Sequence, residues 1–130
     1  MIVIHASAAV EWFLRTEPGK HIAHWITVRG GPLHVPQLFD LEVANALRRF
    51  VRTSAITATR ADEALRDLAD MRLMRHGHSR LLHRVWELRD HLTSYDAVYV
   101  ALAEGLNAPL LTLDAKIAAA PVHHATVEVI

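Results

Sequence analysis

The sequence predicts an α/β fold, specifically a three-layer α/β/α sandwich around a mostly parallel central sheet of short strands. Three observations carry this. Short apolar runs such as Ile2-Val3-Ile4, Leu33–Val35 and Leu110–Thr112 alternate with longer segments whose apolar residues recur at helical spacing. The first run is β-branched and does not alternate with polar residues, as expected of a strand buried on both faces. Turn residues, among them Gly30-Gly31-Pro32, punctuate the boundaries.

Ile2–His5 is the first predicted strand. Ser7 caps a helix running to about Leu14, with Val10, Phe13 and Leu14 on one side. A second helix spans about 18–28, with Pro18 tolerated in its first turn. Leu33–Val35 is a strand stopped by Pro36. Gln37–Arg52 is a helix on which Leu38, Leu41, Ala44 or Asn45, Leu47 and Val51 share helical spacing. Thr57 caps the next helix, with Ala61, Leu65, Leu68 and Met71 inward. Arg72–His76 is a strand, and Arg80–His91 a helix bearing Leu82, Val85, Trp86 and Leu88. Thr93 or Ser94 begins a helix that runs to about Glu104 and stops at Gly105. Leu110–Thr112, a short helix capped by Asp114 and ending at Ala119, and a strand Val127–Ile130 complete the series. Alternating strands and helices favour a parallel sheet with helices on its faces.

The 130 residues fit one domain, residues 1–130, large enough to bury a core. Over half are apolar, which argues against disorder. Fourteen basic and fourteen acidic residues cancel, so net charge gives no strong non-specific grip on nucleic acid. Ten histidines make the chain more cationic below pH ~6.5. The absence of cysteine removes disulfides, thiolate zinc sites and thiol nucleophiles, and suits a reducing compartment. No apolar run reaches the ~18–20 residues of a membrane helix. The N-terminus lacks the basic lead of a secretory signal, and Glu11 interrupts its apolar stretch. The expectation is a soluble cytoplasmic protein with no membrane partner.

Ligands in such sheets bind beyond the carboxyl ends of the strands. His5 ends the first strand, and Asp114 closely follows strand Leu110–Thr112. Asp96 lies in the first turn of the helix that follows Thr93, and Glu42 sits on an otherwise apolar helix flank. Each also has a structural explanation. Asp114 suits an N-cap, and Asp96 suits a capping box with Thr93. Glu42 could pair with Arg48 or Arg49, since a carboxylate among Leu38, Leu41, Val43 and Ala44 needs a partner. Gathered together, the carboxylates would repel unless one took up a proton or a hard divalent cation entered. Mg²⁺ or Mn²⁺ there could activate water and stabilise charge on a phosphate, which points to metal-assisted phosphodiester hydrolysis.

MIVIHASAAVEWFL, VPQLFDLEVANALRR and LTSYDAVYVALAEGLNAPLLTLDAKIA, in this order, resemble the PIN-domain toxins of bacterial VapBC toxin–antitoxin modules. The resemblance spans essentially the whole chain. It implies a PIN-like fold and a cytoplasmic ribonuclease dependent on Mg²⁺ or Mn²⁺. It also implies a homodimer held inactive by a partner antitoxin, with RNA as substrate. Glu42 matches the family's helical glutamate, Asp96 its third acidic position and Asp114 its fourth, all as catalytic and metal-binding residues. Ser7 and Thr112 match supporting hydroxyl positions, Asn45 lies one turn from Glu42, and Arg48 and Arg49 are candidates for RNA or antitoxin contact.

His5 departs from the pattern, which has aspartate there. Imidazole supplies a nitrogen and no negative charge, so Mg²⁺ should bind less well, whereas Mn²⁺ or softer metals suit it better. A protonated His5 would instead pair with Glu42, Asp96 and Asp114 in the metal's place. Three readings follow: an inactivated nuclease, a variant using a softer metal, or a non-catalytic PIN-like module that binds antitoxin or RNA only.

The remaining signals point elsewhere. The pairs His21/His24, His76/His78 and His123/His124 lack further ligands at zinc spacing and read as surface residues. Trp12, Trp25 and Trp86 suit core packing or a protein groove, and Tyr95 and Tyr99 a dimer interface. Arg48, Arg49 and Arg52 also suit a solvated helix end. A phosphoacceptor receiver module is the rival α/β reading, but Lys116, in a helix, is not the strand-end lysine it needs.

Overall fold

A computed structural model describes residues 1–130. In chain order the elements are β1 (Ile2–Ile4), α1 (Ala6–Leu14), α2 (Glu17–Arg29), β2 (Leu33–Pro36), α3 (Phe39–Arg52), α4 (Ala58–Asp70), β3 (Leu73–His76), α5 (Leu82–Glu87), α6 (Ser94–Leu106), β4 (Leu110–Thr112), α7 (Ala115–Ala119) and β5 (Val127–Val129). The five strands form one sheet in the order β3-β2-β1-β4-β5, and every pairing is parallel. The α/β/α architecture expected from the alternation is present.

The registers place β1 at the centre, with Ile2 opposite Leu33 and Ile4 opposite Leu111. Its three residues are fully buried, which explains their unbroken apolar character. Helices α1 to α4 pack on one another, α5 packs on α6, and α6 crosses β1, β2 and β4. Seven consecutive residues of α6, Ala97–Ala103, are buried, so this helix has no wide polar face. The order of strands switches direction between β1 and β4, so the crevice beyond their carboxyl ends is the natural ligand site.

Several boundaries differ from expectation. His5, not Ser7, is the N-cap of α1: its side chain accepts from the Ser7 amide. Thr16 caps α2, with its hydroxyl accepting from the Gly19 amide. Gly105 lies inside α6, and the helix instead ends on left-handed Asn107, whose amide bonds Ala103 and Glu104 carbonyls. The Arg80–His91 segment forms only the six-residue α5 flanked by turns. Pro36 belongs to β2, paired with His76 at the end of β3. Leu41 is 75% exposed, so the helical spacing of α3 overstates its inward face. Leu65 is likewise exposed at 39%, though its helix turns Ala61, Ala64 and Leu68 inward. Close packing of α1 on α2 depends on Gly19, where an added Cβ would lie 2.0 Å from the Glu11 carbonyl oxygen.

Candidate active site

The local sequence dictates where the polar residues fall. His5 follows β1 directly and opens α1. Thr112 ends β4, and Asp114 caps α7 by accepting from the Lys116 amide at 2.9 Å. Asp96 lies in the first turn of α6, where its amide donates to the Thr93 hydroxyl at 3.2 Å. Its carboxylate does not complete a capping box with Thr93; it reaches His5 instead. Glu42 leans in from the first turn of α3.

His5 is 7% exposed and is the hub of the site. Its Nδ1 accepts the Ser7 amide at 3.2 Å and lies 2.9 Å from the Ser7 hydroxyl. A ring nitrogen that accepts an N–H carries no proton, so the network assigns the ring proton to Nε2. That Nε2 faces Asp96 Oδ1 at 3.1 Å. Of the three carboxylates, Asp96 is the one that His5 contacts in this arrangement.

Glu42 joins this centre through the Tyr99 hydroxyl, and Asp114 through its backbone amide. Tyr99, fully buried on α6, stacks at a tilt on the His5 ring with centroids 4.4 Å apart, and its phenol donates to Glu42 Oε1 at 2.7 Å. Glu42 thus pairs with a tyrosine rather than with Arg48 or Arg49, both of which are exposed. Burial raises the Glu42 carboxyl above the ordinary carboxylate range, although the Tyr99 hydrogen bond pulls the other way. Burial raises the Tyr99 phenol too, and the neighbouring Glu42 charge adds to this. On the other flank, Ser7 Oγ lies 3.3 Å from Thr112 Oγ1 and accepts the Leu113 amide. Thr112 Oγ1 accepts the Asp114 amide at 3.0 Å.

Hydrogen bonds link Glu42 to Tyr99 and His5 to Asp96, a ring contact joins Tyr99 to His5, and a branch His5–Ser7–Thr112 ends on the Asp114 backbone amide. Asn45 lines a groove with Leu38, Leu41, Glu42 and Tyr95. Tyr99 is the member that sequence reasoning assigned elsewhere, to a dimer interface. Its position three residues after Asp96, on the same helical face, was the available signal.

No group of three or more histidine, aspartate or glutamate side chains stands close enough to hold a metal ion. His5 Nε2 is directed at Asp96 as a donor, so it offers that carboxylate a proton rather than a shared ligand position. As built, the centre does not fit Mg²⁺ or Mn²⁺. What it can do unaided is hold Asp96 and Glu42 in fixed orientation by hydrogen bonds.

Comparison with known proteins follows the same lines. The PIN-domain family model matches residues 2–122. Ribonuclease VapC12 of Mycobacterium tuberculosis is 36% identical over 130 residues, covering all of this chain and 99% of that protein. Ribonuclease VapC3 of the same organism is 40% identical over 125 residues, covering 95% and 90%. Among solved structures, PAE2754 from Pyrobaculum aerophilum superposes with a TM-score of 0.72 at 25% identity, covering 98% of this chain and 83% of that one. Mycobacterium tuberculosis VapC20, a sarcin-ricin loop cleaving toxin, gives 0.70 at 13% identity over 95% and 100%, a likeness of fold alone. No helix is long and apolar enough to cross a membrane. With a family match across nearly the whole chain and full-length relatives above one-third identity, the chain belongs to the PIN-domain family and, within it, to the VapC ribonucleases.

Proposed function

We propose that this chain is the toxin of a toxin–antitoxin module, an endoribonuclease scaffold whose catalytic centre is closed by His5. The observation that supports the reading most directly is the hydrogen bond from His5 Nε2 to Asp96 Oδ1 at the switch point of the sheet. The family resemblance implies an aspartate where this chain has His5, and His5 here engages Asp96. Glu42, Asp96 and Asp114 are the residues that would carry phosphodiester hydrolysis in the open centre. Ser7, Thr112 and Asn45 support them, and Arg48 and Arg49, exposed on α3, are available to phosphates or to an acidic antitoxin. Its setting would be the cytoplasm.

A histidine at position 5 weakens this function in two ways. It removes one negative charge from a site meant for a divalent cation, and it neutralises part of another by hydrogen bonding. An aspartate at position 5 would restore four acidic side chains around the crevice, a donor set of hard oxygens that suits Mg²⁺ or Mn²⁺. The bound ion would supply Lewis-acid charge for the phosphate.

The deciding experiment compares the chain with its His5→Asp variant by titration calorimetry with Mn²⁺ and by cleavage of structured and single-stranded RNA in Mg²⁺ and Mn²⁺. The expected result is metal binding and cleavage in the variant alone. Confirmed metal binding without cleavage of any RNA overturns the enzymatic reading and favours the module that only binds antitoxin or RNA. Cleavage by the unaltered chain in Mn²⁺ overturns the closure by His5.

A further inference from the structure

A second histidine pair lies away from this centre. His34, on β2, is only 3% exposed, and its Nδ1 lies 2.8 Å from Nε2 of His76, the last residue of β3. The rings stack with centroids 5.1 Å apart and an interplanar angle of 28°. The sequence suggests His76, with His78, as a surface residue, whereas His76 is half-buried. The parallel register explains the meeting: Pro36 faces His76, so His34 and His76 are diagonal neighbours on adjacent strands.

The tautomers follow from satisfaction. His34 Nε2 is buried and has no hydrogen-bond partner. A buried N–H without an acceptor costs about 1–3 kcal/mol, and orphaned buried N–H groups are rarer than under-used acceptors. The proton therefore sits on His34 Nδ1 and is donated to an unprotonated His76 Nε2. One added proton preserves the N–H···N contact only with the buried, unpartnered His34 Nε2 also protonated, and a second leaves no acceptor between the rings. A proton added at His76 Nε2 forces two N–H groups together, or else moves the His34 proton to the unpartnered Nε2.

The surroundings offer no carboxylate to accept such a proton. On α3, Asp40 is bound bidentately by Arg75 at 2.7 and 2.8 Å, and Glu42 by Tyr99. On α6, Asp96 is bound by His5 and Glu104 by Arg84. The Met1 amino terminus, which precedes β1, acts on His34 and is itself positive. Burial, His76 and that terminus all lower the proton affinity of His34.

We infer that the His34–His76 contact is an acid-sensitive latch on the edge strand β3. β3 pairs with β2 alone, is only partly buried, and has no other strand to hold it. It also anchors the start of α3: the Gln37 amide donates to the His76 carbonyl, and Arg75 clamps Asp40, two residues before Glu42. Opening the latch frees the turn of α3 that presents Glu42. Any effect on RNA cleavage rests on the proposed function, whereas the latch is read by exchange of backbone amides, which does not.

The experiment is hydrogen–deuterium exchange of the β3 and Gln37 amides at about pH 7.5 and about pH 5.5, corrected for intrinsic rates. The unaltered chain is compared with His76→Gln, in which the side-chain carbonyl accepts from His34 without titrating. The expected result is roughly a tenfold loss of protection on acidification in the unaltered chain, and little change in the variant. Equal acid response in both, or none in either, overturns the latch. Long-range ¹H–¹⁵N spectra of the unaltered chain near neutral pH provide a reading that needs no variant. They should show His34 protonated at Nδ1 and His76 unprotonated at Nε2; the opposite assignment also overturns it.

Discussion

The Tyr99 phenol donates a 2.7 Å hydrogen bond to Glu42 Oε1, joining the buried helix α6 to the first turn of α3. The pair explains how a carboxylate survives on an apolar helix flank. Tyr99 is wholly buried, and its hydroxyl donates to Glu42.

Removing that hydroxyl therefore leaves Glu42 half-buried with no donor. Tyr99→Phe is expected to lower stability by about 1–3 kcal/mol, the usual cost of stranding a buried acceptor, measured by urea denaturation near pH 7. The pH dependence carries a sign. The folded-state affinity of Glu42 for a proton is raised, chiefly by burial, so the folded chain holds more protons than the unfolded one over that window. Stability from this group is complete below the unfolded value of 4.5 and is lost as pH rises through the folded value. Glu42→Gln, which retains an acceptor for Tyr99, should be more stable than the unaltered chain at neutral pH and should flatten the dependence just above 4.5. A variant no more stable than the parent at neutral pH contradicts the burial of this charge.

The contrast between Glu42 and Asp96 shows how far sequence reading reached. Spacing and chain order identified both acids, their elements and the α/β frame, because strand and helix periods are local signals. Their partners were not local. Tyr99 meets Glu42 across 57 positions and His5 meets Asp96 across 91, so only the sheet order decides those contacts. Helix ends were misplaced for a related reason. Gly105 is a good stop residue in isolation, but Asn107 adopts the left-handed cap with φ 48°. The meeting of His34 with His76 depends on parallel register between β2 and β3, which no spacing within either strand reveals.

Arg84 fixes the C-terminal segment and gives a second stability test. Its guanidinium binds Glu104 bidentately at 2.8 and 3.0 Å and also donates to the Val122 carbonyl at 2.9 Å. Val122 has φ 63°, a left-handed conformation that β-branched residues avoid, so this bond holds a strained turn. Arg84→Ala is expected to cost about 1–3 kcal/mol, since the partner carboxylate remains mostly buried. Burial pushes the Glu104 carboxyl up, but the Arg84 hydrogen bond and the His124 amide outweigh it and leave it below the ordinary range. Its contribution is therefore present above the unfolded value of 4.5 and is lost as pH falls through the folded value. The variant should lose this acid sensitivity together with stability. Acid melts that retain the parental slope would show that the pair does not supply it.

The exposed apolar strip on α3, α5 and α6 tests the homodimer. Leu41, Leu82, Trp86 and Tyr95 are 75%, 57%, 64% and 67% exposed. Leu38 and Tyr95 line both grooves of the strip, one with Leu41 and Glu42, the other with Leu82 and Val85, so the residues form one continuous surface. Leu82 and Trp86 are four apart on α5 and share a face. Exposed apolar residues grouped on one face mark interaction sites in soluble proteins. Two copies apposed about this strip would bury aromatic anchors of the type that dominate interface energetics. Sedimentation of the unaltered chain is expected to give a dimer at micromolar concentration. Leu41→Glu or Trp86→Glu should shift it to monomer while leaving the far-ultraviolet circular dichroism spectrum unchanged, because both side chains lie outside the core. A monomeric parent, or a dimer indifferent to both charges, would exclude this face as the contact between copies.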